Sequence, residues 1–281
     1  MNQNISNLRA IAEEILHTPI QSQAGQWIKQ QARAYEVDLV PTLQKSIDEV
    51  NDFLQSYDDH KDRIAQLIAE WQIGDTSAPE QIKAITSILF IELKTAQMNT
   101  NVAINKLVPF RTSLDEVDRV IKEEQKRNNR AIQEQSQAIM RNTARLRQLR
   151  SEYQRAVYGP MKMLDTFLRQ LLSAITNLEF DTEKLERQRD AAYRARTEAF
   201  NIKGALQRFY HYFDQLDDLG QDLVVGLNFT HNYLKDANAA LTTADNAPNR
   251  VILFKAPFEH FAKNVMTIKE SLHLRSAAPA A

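Results

Sequence analysis

Residues 158–180 read YGPMKMLDTFLRQLLSAITNLEF. The Gly-Pro pair is a break, because the ring of Pro160 pushes the preceding residue out of helical geometry. Directly after it comes the greasiest amphipathic stretch of the chain. On a helical wheel Met161, Leu164, Phe167, Leu168, Leu171, Leu172, Ile175 and Leu178 share one broad face, while Lys162, Asp165, Thr166, Arg169, Ser173 and Thr176 share the other. Long, polar, helix-forming segments lie on both sides of it. That arrangement predicts an antiparallel helical hairpin with an apolar head at its turn.

The outgoing arm carries a sparse stripe, and Ile132, Ile139, Leu146 and Tyr153 repeat every seven residues, a spacing that suits a long two-helix contact. Gln135 and Asn142 dilute the seam. The returning arm steps by threes and fours through Leu185, Gln188, Ala192, Ala195, Ala199, Ile202, Leu206, Phe209, Phe213 and Leu216. Its small residues allow close approach near the break, and its large ones predict more helices further along. At 1.5 Å per residue, arms of ~46 and ~39 residues span ~69 Å and ~58 Å, lengths that match an antiparallel pair.

The rest of the chain reads as helix too. It has 281 residues with 6 Gly and 8 Pro, 8% aromatic and 25% charged, the composition of long helices rather than of strands and turns. Leu8, Ile11 and Ile15 predict a short helix that HTPI ends. Leu43, Ile47, Val50, Leu54, Tyr57, Ile64, Leu67, Ile68 and Trp71 predict a long one, which Pro41 starts or kinks. IGDTSAPE is a break, with Ser77 as N-cap and Pro79 in the next first turn. QIKAITSILFIEL has an apolar run wide enough to be buried on more than one side, Pro109 is a point where the chain kinks or is interrupted, and Gly220 and Gly226 loosen the end of the returning arm. Further helices are expected through Val224 to Leu241 and through Ile252, Phe258, Phe261, Val265, Ile268 and Leu272. The expected fold is therefore all-α: an elongated, rod-like bundle of about five long helices that tapers to a hairpin. Residues 1–125 and 205–275 make the bundle, 126–204 the hairpin with its head at 158–180, and 276–281 a disordered tail.

Several function classes are excluded or unsupported. The 35 basic and 36 acidic residues leave a net charge of -1, so no global field attracts nucleic acid. The chain has no cysteine, which removes disulfides, thiolate metal sites and thiol nucleophiles. His60, His211 and His231 lack zinc-site spacing, DDHKD lacks the glycine and closing glutamate of a calcium loop, and no phosphate-cradling loop exists. FYHYF reads as a packed aromatic stripe, and Asp217 and Asp218, adjacent on a helix, point apart. No catalytic residue, metal site or cofactor is expected. Glu13 and Glu14 interrupt the apolar N-terminus, so no cleavable signal peptide is expected, and no run of apolar residues is long enough for an ordinary transmembrane helix.

The tip matches the thickness of a bilayer in length, ~30 Å for ~20 residues. Its charges oppose a lone crossing, since Lys, Asp or Arg near the bilayer centre costs roughly 2.5–3.5 kcal/mol. An interfacial position fits both facts. Arg147, Arg150, Arg155 and Lys162 beside it could hold anionic headgroups at about 1 kcal/mol each. Two bland readings stand next to these: the segment is a core helix or subunit interface, and the arginines pair with Glu183, Glu186 and Asp190 of the returning arm.

A long-helix bundle, an extended hairpin and GPMKMLDTFLRQLLSAITNLEF between its arms resemble the cytolysin A family of α-helical pore-forming toxins, and most closely the components of multi-component haemolysins of Gram-negative bacteria. The resemblance covers nearly the whole chain. It implies secretion, a soluble form that hides the head by self-association, membrane contact, and assembly with other toxin components. Lys162, Asp165 and Arg169 depart from the uncharged head of a principal pore-former, so an accessory component is implied. In that reading the membrane-contacting head is Met161, Met163, Leu164, Phe167, Leu168, Leu171, Leu172, Ile175 and Leu178, with target-cell lipid and other toxin components as partners and no nucleic acid. The competing expectation is a cytosolic coiled-coil scaffold whose apolar segment is a dimer or partner interface.

Overall fold

A computed structural model describes residues 1–20, 22–158, 165–242 and 250–274. These are helical almost throughout: α1 (Asn2–His17), α2 (Gln23–Ala34), a π turn (Tyr35–Leu39), α3 (Val40–Gln72), α4 (Ala78–Tyr158), α5 (Asp165–Thr242) and α6 (Arg250–Leu274). Because α2, the π turn and α3 are continuous, the described residues form five helical runs, as the periodicity predicts. The all-α expectation is met.

Pro41 stands in the first turn of α3, where the π turn runs into it. The backbone N–H of Val40 donates to the Tyr35 carbonyl, five residues back, so the turn before Pro41 is widened where a regular α turn would drive the proline ring into a carbonyl. At the other end of α3, Gly74 takes φ 104° and the N–H groups of Gly74 and Asp75 close on the carbonyls of Trp71 and Glu70 at 3.1 and 3.0 Å. This satisfies the orphan carbonyls of the last turn with a left-handed glycine. Ser77 then stands at the cap of α4, its carbonyl receiving the Gln81 N–H.

Two expected interruptions are absent. α4 runs unbroken through Pro109, whose turn faces solvent, so water can serve the Asn105 carbonyl that the proline leaves without a donor. α5 runs unbroken through Gly220 and Gly226, so no separate helix starts near Val224. Those glycines serve close approach rather than looseness: a Cβ on Gly220 would lie 1.8 Å from Ile104 Cδ1, and one on Gly226 would lie 3.1 Å from Ile268 Cγ1.

The contacts divide the chain into two compact units. The first gathers Met1–His17, Lys29–Leu114 and the described residues from Gln207 onward; the second gathers Thr18–Ile28 and Asp115–Leu206. The first unit holds the large core. Tyr35 meets Phe209 edge-on at 5.3 Å between centroids, and Phe110 stacks on Phe213 at 5.5 Å, so FYHYF is a packed stripe as expected. The Tyr35 hydroxyl donates to the Ile5 carbonyl at 3.2 Å, and burial holds its phenol well above the ordinary range, with the charge of Arg9 only partly opposing. A second aromatic group joins Phe53 and Tyr57 to Phe261, which packs in turn on Phe258. Ile252 is exposed and Phe254 takes its expected place in the core.

QIKAITSILFIEL is buried on one side only. Ile82, Leu89 and Leu93 face the core, whereas Ile88, Ile91, Met98 and Val102, at three- and four-residue steps along α4 with Thr95 between them, face outward. The apolar run is wide because it serves two faces.

Candidate membrane-contact site

Apart from Thr18–Ile28, the second unit is a hairpin of two long helices, the C-terminal half of α4 and the N-terminal half of α5. Its seam on α4 is the seven-residue repeat read from the sequence: Ile132, Ile139 and Leu146 are buried and Tyr153 half-buried. A second row interleaves with it, in which Gln135 and Asn142 are half-buried while Leu149 and Ala156 are buried. Periodicity of the first row alone misses the last two, although they also lie seven residues apart. Across from them, α5 offers Leu171, Ile175, Leu178, Thr182, Leu185, Arg189 and Ala192; the step after Leu185 is four, so Arg189 rather than Gln188 takes the seam position.

Near the tip the seam closes into a small core. Leu146, Leu149 and Ala156 of α4 pack with Leu171 and Ile175 of α5, and Tyr153, Leu168 and Leu178 lie against them. This cluster divides the expected head face. Leu168, Leu171, Ile175 and Leu178 hold the hairpin together, whereas Phe167 and Leu172 stay 40% and 51% exposed and Leu171 is only 7% exposed. Tyr158, at the end of α4, is exposed as well. Met161, Lys162, Met163 and Leu164 lie outside the described residues.

The charges around the tip are on the surface. Arg150 pairs with Glu179 across the hairpin at 2.5 Å, with both side chains well exposed, so the bond adds little stability. Glu183 and Asp190, expected partners of the outgoing arm, instead pair with Arg187 and Arg189 of their own helix. Arg147 and Arg155 are exposed. Among the described residues no group of three His, Asp or Glu side chains is placed to hold a metal, and no helix is long and apolar enough to cross a membrane.

Among solved structures the chain is similar to the soluble triple head mutant of AhlC, from the tripartite α-pore-forming toxin AHL of Aeromonas hydrophila. The TM-score is 0.73 at 16% identity, over 96% of this chain and 97% of that one. The chain shares the AhlC fold. Two further matches come from pore complexes: XaxAB from Xenorhabdus nematophila, with TM-score 0.65 and 9% identity over 98% of both chains, and YaxAB, with TM-score 0.63 and 13% identity over 97% of this chain and 95% of that one. No protein-family model and no curated protein matches the sequence. The likeness in fold spans nearly the whole length of both chains, as the resemblance read from the sequence implies.

Proposed function

We propose that the chain is a secreted component of a multi-subunit α-helical pore-forming toxin, which touches the target membrane through its hairpin tip and assembles with partner components. The observation that carries this reading is the whole-length likeness to AhlC, a component of a tripartite toxin of this class. The tip supports it. Phe167, Leu172 and Tyr158 are exposed although the hairpin core closes without them, and apolar side chains left outside a closed core mark contact sites. Met161, Met163 and Leu164 extend the same set in sequence. Arg147 and Arg155 are free to meet anionic headgroups, with Arg150 and Lys162 as further candidates. The outward face of α4, Ile88, Ile91, Met98 and Val102, supports contact with another subunit, in the soluble form or in the assembly.

The scaffold reading is left with fewer residues to build its interface from. Part of the apolar segment that would serve as a dimer or partner interface, Leu171 and Ile175, is packed against Leu146, Leu149 and Ala156 of the same chain. The test is flotation of the full chain with anionic and neutral liposomes beside Leu172→Lys, with circular dichroism on both. The expected result is binding by the wild type and its loss in Leu172→Lys at unchanged helicity. Wild-type protein that ignores both liposome types in the presence and absence of partner components sinks the membrane reading.

A further inference from the structure

The link between α1 and α2 sits in an unexpected place. The division at residues 1–125 assigns it to the bundle, yet Thr18–Ile28, which includes the first half of α2, packs with the hairpin, while α1 before it and the chain from Lys29 after it belong to the other unit. Ile20, Ala24 and Ile28 are buried there. The segment is also tightly built. Ser22 caps α2, its hydroxyl accepting the Gly25 N–H at 3.1 Å and its carbonyl the Gln26 N–H at 3.0 Å, and Gln26 Nε2 donates back to the Ile20 carbonyl at 3.0 Å. Gly25 is required by this turn, because a Cβ would lie 1.7 Å from the stiff γ-methyl of Ile20.

What the segment touches gives it a role. The N–H of Ser22 donates to the Glu198 carboxylate at 2.8 Å, and the N–H of Ala24 donates to the Glu124 carboxylate at 3.2 Å. Glu124 belongs to α4 and Glu198 to α5. One helix N-terminus, whose first N–H groups have no partners of their own and whose dipole favours negative charge, is thus satisfied by carboxylates from both arms of the hairpin. The two donors are two residues apart on a single rigid turn, which fixes where the two carboxylates stand relative to each other. Sliding α4 past α5 by one turn, ~5.4 Å, breaks at least one of the bonds. Nearby, the arms meet through Ala192, Ala195 and Ala199, small side chains that resist such a slide only weakly.

We propose that Thr18–Ile28 is a releasable clasp across the base of the hairpin, which sets the register of α4 against α5 and must let go before the arms can separate or slide. This holds whether or not the tip meets a membrane. It makes the hairpin's freedom to rearrange depend on a short segment whose bonded partners lie 100 and 176 residues further along the sequence.

Hydrogen exchange followed by mass spectrometry on the full chain tests it, without lipid, in three forms: wild type, Glu124→Ala with Glu198→Ala, and Gly25→Ala. Alanine suits the interior of α4 and α5, so the first variant removes the acceptors without breaking either helix. Gly25→Ala attacks the clasp and leaves both carboxylates in place. Both variants are expected to speed exchange about tenfold in the clasp and in the facing stretches 118–130 and 192–204 together, with the amides around Phe110 and Phe213 unchanged. Faster exchange in the clasp with the two arms unmoved overturns the proposal, and so does an equal loosening of the aromatic core. If the double variant does not fold, Gly25→Ala and Glu124→Ala alone read the same coupling.

Discussion

The two units spend apolar side chains differently. The aromatic unit buries Tyr35, Phe53, Phe209, Phe213, Phe254 and Phe261 almost completely, with rings in contact with rings. The hairpin closes on thin rows of Leu and Ile diluted by Gln135, Asn142, Thr182 and alanines, with a small core of a handful of residues around Leu171. A fully buried large side chain contributes roughly 1.5–3 kcal/mol, so the first unit has a wide margin and the second a narrow one. The difference teaches where change is cheap. Apolar residues exposed at the tip are surplus to a seam that closes without them, and a thin seam is one that can be rearranged.

The contrast breaks first at its strongest point. Phe209→Ala should cost about 3–5 kcal/mol in urea unfolding, because the ring leaves a cavity between Tyr35 and Phe110 that stiff aromatic neighbours fill poorly. A loss near 1 kcal/mol would mean that the aromatic core is looser than drawn. Next in size, Leu171→Lys should cost about 2–4 kcal/mol, since an ammonium has no partner between Leu146 and Leu149. Leu172→Lys, one residue on, should cost less than about 0.5 kcal/mol. Equal effects at the two positions would erase the distinction between seam and outer face.

A smaller effect sharpens the comparison by pH. Hydrogen bonds from Lys269 and Lys61 hold the Asp58 carboxyl below its ordinary value, with burial opposing weakly. A lowered folded pKa means that the contribution is fully present above the unfolded value of about 3.9 and is lost as pH falls through the folded one. Asp58→Asn should therefore lower stability by no more than about 1 kcal/mol at pH 7, and the gap should close at more acid pH. A gap that persists at acid pH would assign the effect to packing. The smallest change has the opposite sign: Gly204→Ala, with no atom within 4 Å of the added Cβ, should stabilise by about 0.5–1 kcal/mol, while Gly220→Ala must push Ile104 aside and should destabilise. Matching signs at the two glycines would refute the close-approach account of α5.

Much of this fold is legible in the sequence because helical periods are local. Ile132, Ile139, Leu146 and Tyr153 announce a long two-helix contact, and IGDTSAPE announces the end of α3. What fails to show is what tertiary context decides. Pro109 reads as a kink or break until α4 is seen to run on through it, Gly220 and Gly226 read as flexible until Ile104 and Ile268 are found against them, and the exposed Ile88 and Ile91 are indistinguishable in pattern from core. The tip is legible as amphipathic, but its division into seam and outer residues depends on which side α4 covers. The clasp is not legible at all, because Glu124 and Glu198 become its partners only through the hairpin register.

The most direct measurement uses the absence of cysteine from the chain. A single cysteine introduced as Leu172→Cys and labelled with an environment-sensitive fluorophore reports the outer face of the tip, and Arg187→Cys serves as a control further down α5. On addition of anionic liposomes, with partner components where available, the emission at position 172 should shift to the blue while that at 187 stays put. No shift at 172, or the same shift at both positions, would contradict a membrane-contacting tip.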